Sequence, residues 1–292
     1  MILSILLISV CGIDLEALYD KATTRLVSFG AARDSAIQEF VKMGKDALTS
    51  DTTVIFLVSK FDTKSSIERH TLKDILKEIG TSAVKWIVSR LDYRGSDEEA
   101  RSLKQSLWVL GEIGGAEIVE PAARFIADES WAVRSAAFTT LGKSKLHEAI
   151  PFVLDGLNDT VALVRKSAYY ALSEIATEEQ FPSFVNGLRD EYYGVRYAAL
   201  SGISRLNPQP ALLFSEIGDD DSRNYFVLSA LAGIEMECDS LDAIRAFSPA
   251  TRKAFYDILP ERLLTRSLKH ETHPLLKTYL RKKIFAQESE EQ

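Results

Sequence analysis

Residues 128–171 read DESWAVRSAAFTTLGKSKLHEAIPFVLDGLNDTVALVRKSAYYA, and one unit is written twice within them. The unit is Asp-x-x-x-x-Val-Arg-x-x-Ala-aromatic. Asp128, Val133, Arg134, Ala137 and Phe138 return as Asp159, Val164, Arg165, Ala168 and Tyr169, each 31 residues later. Working outward, Asp97, Asp190 and Asp221 keep the same step, as do Ser106 and Ala199 around Ala137 and Ala168. Leu110, Leu141, Leu172 and Ile203 follow it too, and so do Val119, Ile150, Phe181 and Leu212. Agreement at so many positions with one period means an array of identical supersecondary units.

Within each unit two apolar stripes at helical period are separated by a polar turn at the Asp. A second turn falls near Gly111, Gly142 or Ser173. A helix of about a dozen residues buries a single stripe, so a helix pair cannot close its own core and must stack on the next pair. Ser106, Ala137, Ala168 and Ala199 are expected where two helices approach most closely. Pro121, Pro151 and Pro182 fall early in the first helix of their units, where a missing N–H costs little. The expectation is an all-α, right-handed α-solenoid of about seven antiparallel helix pairs with a helical C-terminal cap.

The flanks are less regular. Residues 13–80 read as irregular helical repeats, 81–236 as the regular array, 237–286 as the cap and 287–292 as an acidic tail expected to be disordered. TTVIFLVSKF at 52–61 is β-branched and aromatic, which by propensity is a strand. The repeat register overrules propensity. Residues 69–80 line up with 33–44 as second helices, so the segment between them belongs to a first helix. A polar loop at 92–97 separates these units from the regular array.

Composition excludes several function classes. A net charge of −7 and a pI near 5.3 argue against nucleic acid, whose phosphates need a basic surface. Two cysteines, Cys11 and Cys238, provide neither a disulfide framework nor a zinc cluster. Residues 1–12, MILSILLISVCG, are uncharged and apolar but too short to span a bilayer. They read as an export segment, a signal peptide or a lipoprotein box with Cys11 as the lipidated residue, placing the protein outside the cytoplasm. The alternative is a first segment buried against the next repeat in a cytoplasmic protein.

At Asp128/Val133-Arg134, Asp159/Val164-Arg165 and Asp190/Val195-Arg196 the sequence resembles the HEAT repeats, in the short bacterial HEAT-like form of phycobilin lyase subunits. The resemblance implies that each Asp sits in the turn within a pair and each Val-Arg opens the second helix. Asp128, Arg134, Asp159, Arg165, Asp190 and Arg196 would then link successive repeats as a structural ladder. Leu103 and Val227 stand where the ladder Arg would be, so the ladder is expected to stop at both ends.

The chemistry-bearing motifs are few. His147-Glu148 and His270-Glu271 resemble the His-Glu pairs of deoxyhypusine hydroxylase, a di-iron HEAT-repeat enzyme. That family needs several such pairs at matching positions, so no metal site and no cofactor is expected. No phosphate-binding Gly loop, nucleophile elbow or HExxH motif occurs. The expected function is non-catalytic: a scaffold or adaptor holding a protein or peptide on its concave face. The alternative is an enzyme of a HEAT-like family, a chromophore lyase or a metal-dependent hydroxylase.

The second helices line the concave face of such arrays, and their outward positions lie four apart. Here those positions are Lys104 and Trp108, Ser135 and Thr139, Lys166 and Tyr170, Tyr197 and Ser201. Trp108, Lys166, Tyr170 and Tyr197 are the candidate partner contacts among them, since aromatics beside cations make good anchors. A second candidate surface is the edge at Trp131, Tyr192, Tyr193 and Arg223. The competing reading is that these rings pack over the gaps between repeats. A basic run from Arg266 to Lys283 would dock an acidic partner or lipid headgroups, or else form a solvated helix face.

Overall fold

The computed structural model describes residues 9–10, 12–24, 30–94, 100–206, 213, 227, 229–230, 245, 247–259 and 261–290. They form two compact units, 1–175 and 176–292.

The first unit opens with a minimal antiparallel pairing of β1 (Ser9–Val10) with β2 (Ile13–Asp14). Asp14 then caps α1 (Leu15–Ala22), its carboxylate accepting from the N–H groups of Glu16 and Ala17 at 3.0 and 3.1 Å. Next come α2 (Gly30–Lys45), α3 (Ser50–Ser59), α4 (Ser66–Ile79), α5 (Val84–Ser89), α6 (Arg101–Ile113), α7 (Val119–Ala123), α8 (Trp131–Lys143), α9 (Ile150–Asp155) and α10 (Ala162–Ile175). The second unit holds α11 (Phe181–Gly187), α12 (Tyr193–Leu206) and three cap helices, α13 (Pro249–Ile258), α14 (Glu261–His270) and α15 (Pro274–Glu290). Six successive pairs, from α1/α2 to α11/α12, are therefore described. The segment where a seventh would fall lies almost wholly outside the described residues.

In the first unit α2, α4, α6, α8 and α10 pack side by side as one layer of second helices, with the first helices against their other side. Residues 52–59, strand-like by propensity, are helical within α3. Thr53, Val54, Phe56, Leu57 and Val58 are all buried there. Tertiary burial on several sides thus outweighs a propensity difference of a few tenths of a kcal/mol per residue.

The repeat positions do what their spacing requires. Val133, Val164 and Val195, Ala137, Ala168 and Ala199, and Leu141, Leu172 and Ile203 are fully buried. A close backbone approach lies one turn further on. A Cβ added to Gly142 would lie 2.5 Å from the Ala171 Cα, so α8 and α10 touch main chain to main chain there.

The first helices are shorter than expected. In α7, α9 and α11 the helix begins as a 3-10 turn, at Ala116–Ile118, His147–Ala149 and Glu178–Gln180, before the short α-segment. Pro151 and Pro182 sit in the first turn of α9 and α11, where no hydrogen bond is lost.

The C-terminal residues correct one expectation. The acidic residues Glu288 to Glu290 continue α15 as helix.

Candidate partner-binding surface

The ladder is seen first at the turns. Each Asp carboxylate accepts from the backbone N–H two residues on: Ser130 to Asp128 at 2.9 Å, Val161 to Asp159 at 2.8 Å, Tyr192 to Asp190 at 2.8 Å. Each Arg reaches back to the carbonyl of its own Asp, Arg134 at 2.8 Å, Arg165 at 2.9 Å and Arg196 at 2.7 Å. Arg134 then spans to the next repeat, its Nε and Nη2 donating to both oxygens of Asp159 at 2.7 and 3.0 Å. One guanidinium thus closes its own turn and fastens the following one. Burial alone would raise the Asp159 carboxyl, but bonds from Arg134 and the Val161 N–H outweigh it and hold the group below its usual range.

The ladder does not stop where Leu103 replaces Arg. Leu103 is fully buried, and Asp128 is met instead by Arg94 from the preceding loop, Nη1 at 2.6 Å and Nη2 at 3.0 Å. A residue from outside the repeat register takes the place of the missing one. At the other end Val227 is buried.

The candidate contact residues separate into distinct settings. In the first unit, Trp108 on α6 is half-buried. Its ring meets the edge of His70 from α4, centroids 5.1 Å apart, and lies under the Lys73 ammonium at 5.3 Å. It therefore bridges two repeats while part of it stays accessible. Tyr170 on α10 is also half-buried, with Lys166, one turn before it, 5.7 Å from its centroid. Trp131, at the start of α8, is 47% exposed. Between Trp108 and Tyr170 the face is low: Ser135 on α8 shares a 2.7 Å hydrogen bond with Ser167 on α10, and Thr139 is exposed.

In the second unit Tyr193 and Tyr197 lie one turn apart on α12, 57% and 50% exposed, their rings stacked at 6.4 Å and 22°. Tyr192 is exposed beside them. The structure thus joins Tyr193, expected on the edge, with Tyr197, expected on the second-helix face. Arg223 and Cys11 lie outside the described residues.

A cavity of about 480 Å³ opens between α2 and α4, lined by Arg33, Ile37, Ser66, Ile67, His70, Thr71 and Asp74. No sequence signal pointed to it, because it lies where the register of the irregular repeats is least clear. His70 lines this cavity and also touches Trp108, so the two features adjoin.

The two His-Glu pairs have separate structural duties. His147 Nδ1 lies 2.6 Å from the carbonyl oxygen of Ile175, at the end of α10. Glu271 is fully buried in the cap, where it accepts from Arg252 at 3.1 Å, Tyr256 at 2.6 Å and the His273 N–H at 2.7 Å. Among the described residues no three His, Cys, Asp or Glu side chains form a group that would hold a metal ion. Of the C-terminal basic run, Lys283 closes the end of α13 by donating to the carbonyls of Tyr256 and Asp257 at 3.0 and 2.7 Å. No described helix is long and apolar enough to cross a membrane.

With this geometry in hand, a sequence profile for HEAT repeats matches residues 84–173. No curated protein sequence matches the chain. Among solved structures, the Kap95p chain of a RanGDP complex is similar over 91% of this chain and 41% of its own, with 14% identity and a TM-score of 0.50. A designed armadillo repeat protein is similar over 66% of this chain and 100% of its own, with 15% identity and a TM-score of 0.36. The complex of CpcE and CpcF of phycocyanin lyase from Nostoc sp. PCC7120 aligns over 85% of this chain and 95% of the matched chain, at 16% identity and a TM-score of 0.39. The chain spans less than half of Kap95p, and an identity this low speaks for fold alone. The helix pairs of residues 84–173, stacked through buried Val, Ala and Leu positions and tied by Arg–Asp bonds, are HEAT repeats.

Proposed function

We propose that this chain is a non-catalytic scaffold that binds a protein or peptide on the face formed by its second helices. One contrast carries the reading. The Asp and Arg side chains that recur are engaged with the turns and with each other, whereas the side chains that do not recur stand at the surface. Evolution of a repeat core needs the first set. Trp131 in the first unit, 47% exposed, and Tyr193 and Tyr197 in the second, 57% and 50% exposed, each serve contact with something else.

Trp108, Trp131, Lys166, Tyr170, Tyr193 and Tyr197 are the proposed contacts, those of each unit acting within that unit. Crosslinking and affinity capture from the native cell test this, run in parallel on wild type, Trp108→Ala/Tyr170→Ala and Tyr193→Ala/Tyr197→Ala. Loss of the same captured protein in either double variant supports the proposal, provided the melting transition is unchanged. Full retention in both overturns it. Visible absorbance and metal analysis of the purified protein test the enzymatic alternative, since a bound pigment or stoichiometric iron would replace the scaffold reading.

A further inference from the structure

The charges of the regular array are segregated between its layers. The chain as a whole carries −7, yet α6, α8 and α10 together hold six cations against two carboxylates, Glu112 and Glu174. The segments between them, 114–130 and 144–161, hold two cations against seven carboxylates. Both second-helix carboxylates are neutralised. Glu112 receives Lys143 and, at 3.2 Å, Lys77, while Glu174 is paired with Lys145. Hydrogen bonding from Lys143, against the opposing effect of burial, keeps the Glu112 carboxyl below its usual range and so charged.

Of the second-helix cations, Arg134 is bound to the Asp ladder and Lys143 to Glu112. Lys104 and Lys166 have no carboxylate partner among the described residues. Each lies one helical turn before an aromatic ring, Trp108 and Tyr170 respectively, so each shares a helix face with its ring. The floor between these two stations is low and made of hydroxyls, Ser135, Ser167 and Thr139. On the far side of Trp108 the trough meets the cavity between α2 and α4 through His70. There Arg33, itself 3.4 Å from Asp34, lines the cavity with His70, Ile37 and Ile67, and Asp74 is offset by Lys73 at 2.9 Å.

We propose that this trough of the first unit, from the α2/α4 cavity over Trp108 to Tyr170, binds an extended acidic peptide. The inference rests on the scaffold reading and names its partner class. Carboxylates would meet Lys104 and Lys166, backbone would cross the Ser135/Ser167/Thr139 floor, and one apolar side chain would enter the cavity over Ile37 and Ile67. Neighbouring helices pack about 10 Å apart, so α6 and α10 lie about 20 Å apart, which an extended chain covers in about six residues. Acidic residues about six positions apart therefore match the two lysines. Charge complementarity of this kind sets which partner is admitted and how fast it arrives.

The experiment uses the full chain and a fluorescein-labelled dodecapeptide with Leu at position 1, Glu at positions 5 and 11 and Ser or Thr elsewhere, read by fluorescence anisotropy. Saturable binding is expected, weakened about tenfold or more by Lys104→Glu/Lys166→Glu. Trp108→Ala should weaken it as well. A peptide with Lys in place of both Glu should not bind. Absence of binding by the acidic peptide overturns the proposal, as does binding that survives the double charge reversal. Tighter binding of single-stranded RNA than of the peptide to the same lysines would also overturn it. Thermal melting by circular dichroism confirms that the variants are folded. If the peptide fails while Trp108→Ala/Tyr170→Ala still loses a captured native partner, the scaffold reading stands and the acidic specificity falls.

Discussion

The array and the C-terminal cap both join an arginine to a carboxylate, and they use the pair differently. In the array the Arg134 and Asp159 side chains keep 14% and 12% exposure and sit at a turn where water reaches the rim. In the cap the Arg252 and Glu271 side chains keep 8% and 0%, with Tyr256 closing the second oxygen. The first pair is one rung among several, so its loss is shared by neighbouring rungs. The second has no equivalent among the described residues, and loss of one partner strands a charge in the interior. Repetition distributes the electrostatic load, and a cap that terminates the array concentrates it.

The sharpest way to break this comparison is Glu271→Ala, which leaves Arg252 buried without its counter-ion. A loss of about 3–5 kcal/mol is expected from the unfolding transition of the cap, measured by urea denaturation. A loss no larger than that of a ladder residue would erase the distinction. Gly142→Val comes next, because its Cβ would fall 2.5 Å from the Ala171 main chain and neither backbone can yield cheaply. About 1–3 kcal/mol or more is expected from overpacking, and Gly111→Ala, whose Cβ would meet Lys143 at 3.2 Å, should cost less.

Asp159→Ala is expected to lower stability by about 1–3 kcal/mol by leaving the Nε and Nη2 of Arg134 without their carboxylate acceptors. An unchanged melting transition would remove the ladder from the account. The same residue supplies a pH signature. Its folded carboxyl lies below the ordinary value of 3.8, so the unfolded state binds the proton more readily. The stabilisation is complete above the ordinary value and is lost as pH falls through the lowered, folded one. Melting temperature against pH should therefore drop on the acid side, and Asp159→Asn should flatten part of that drop. Arg94→Ala, at the partly exposed end of the ladder, should cost the least, about 1 kcal/mol. A larger loss would show that the loop rung matters more than its exposure suggests.

Much of the fold was legible because the contacts that build it recur. Val133 and Val164, Ala137 and Ala168, and Asp128 and Asp159 each meet the same surroundings one unit later, so selection for packing leaves a period in the chain. The helical state of α3 was legible for the same reason, through register, though its own residues favour a strand. The candidate surface was only partly legible. Spacing placed Trp108 and Tyr170 on outward positions of second helices, and the structure leaves both half-buried. Spacing did not show that His70 and Lys73 cover one side of Trp108, or that Tyr193 and Tyr197 stack together.

The sequence alone therefore determined the repeat period, the all-helical class and the buried Val, Ala and Leu positions, and its resemblance to the HEAT repeats implied the pairing of Asp with Arg. Tertiary structure alone decided what happens once only. Arg94 supplies the rung that Leu103 cannot, Glu271 becomes the buried centre of the cap, and a cavity opens between α2 and α4. The physical reason is that a contact repeated along a chain is written as many times as it is made, whereas a contact between two distant residues made once leaves no pattern until the chain folds and brings them together.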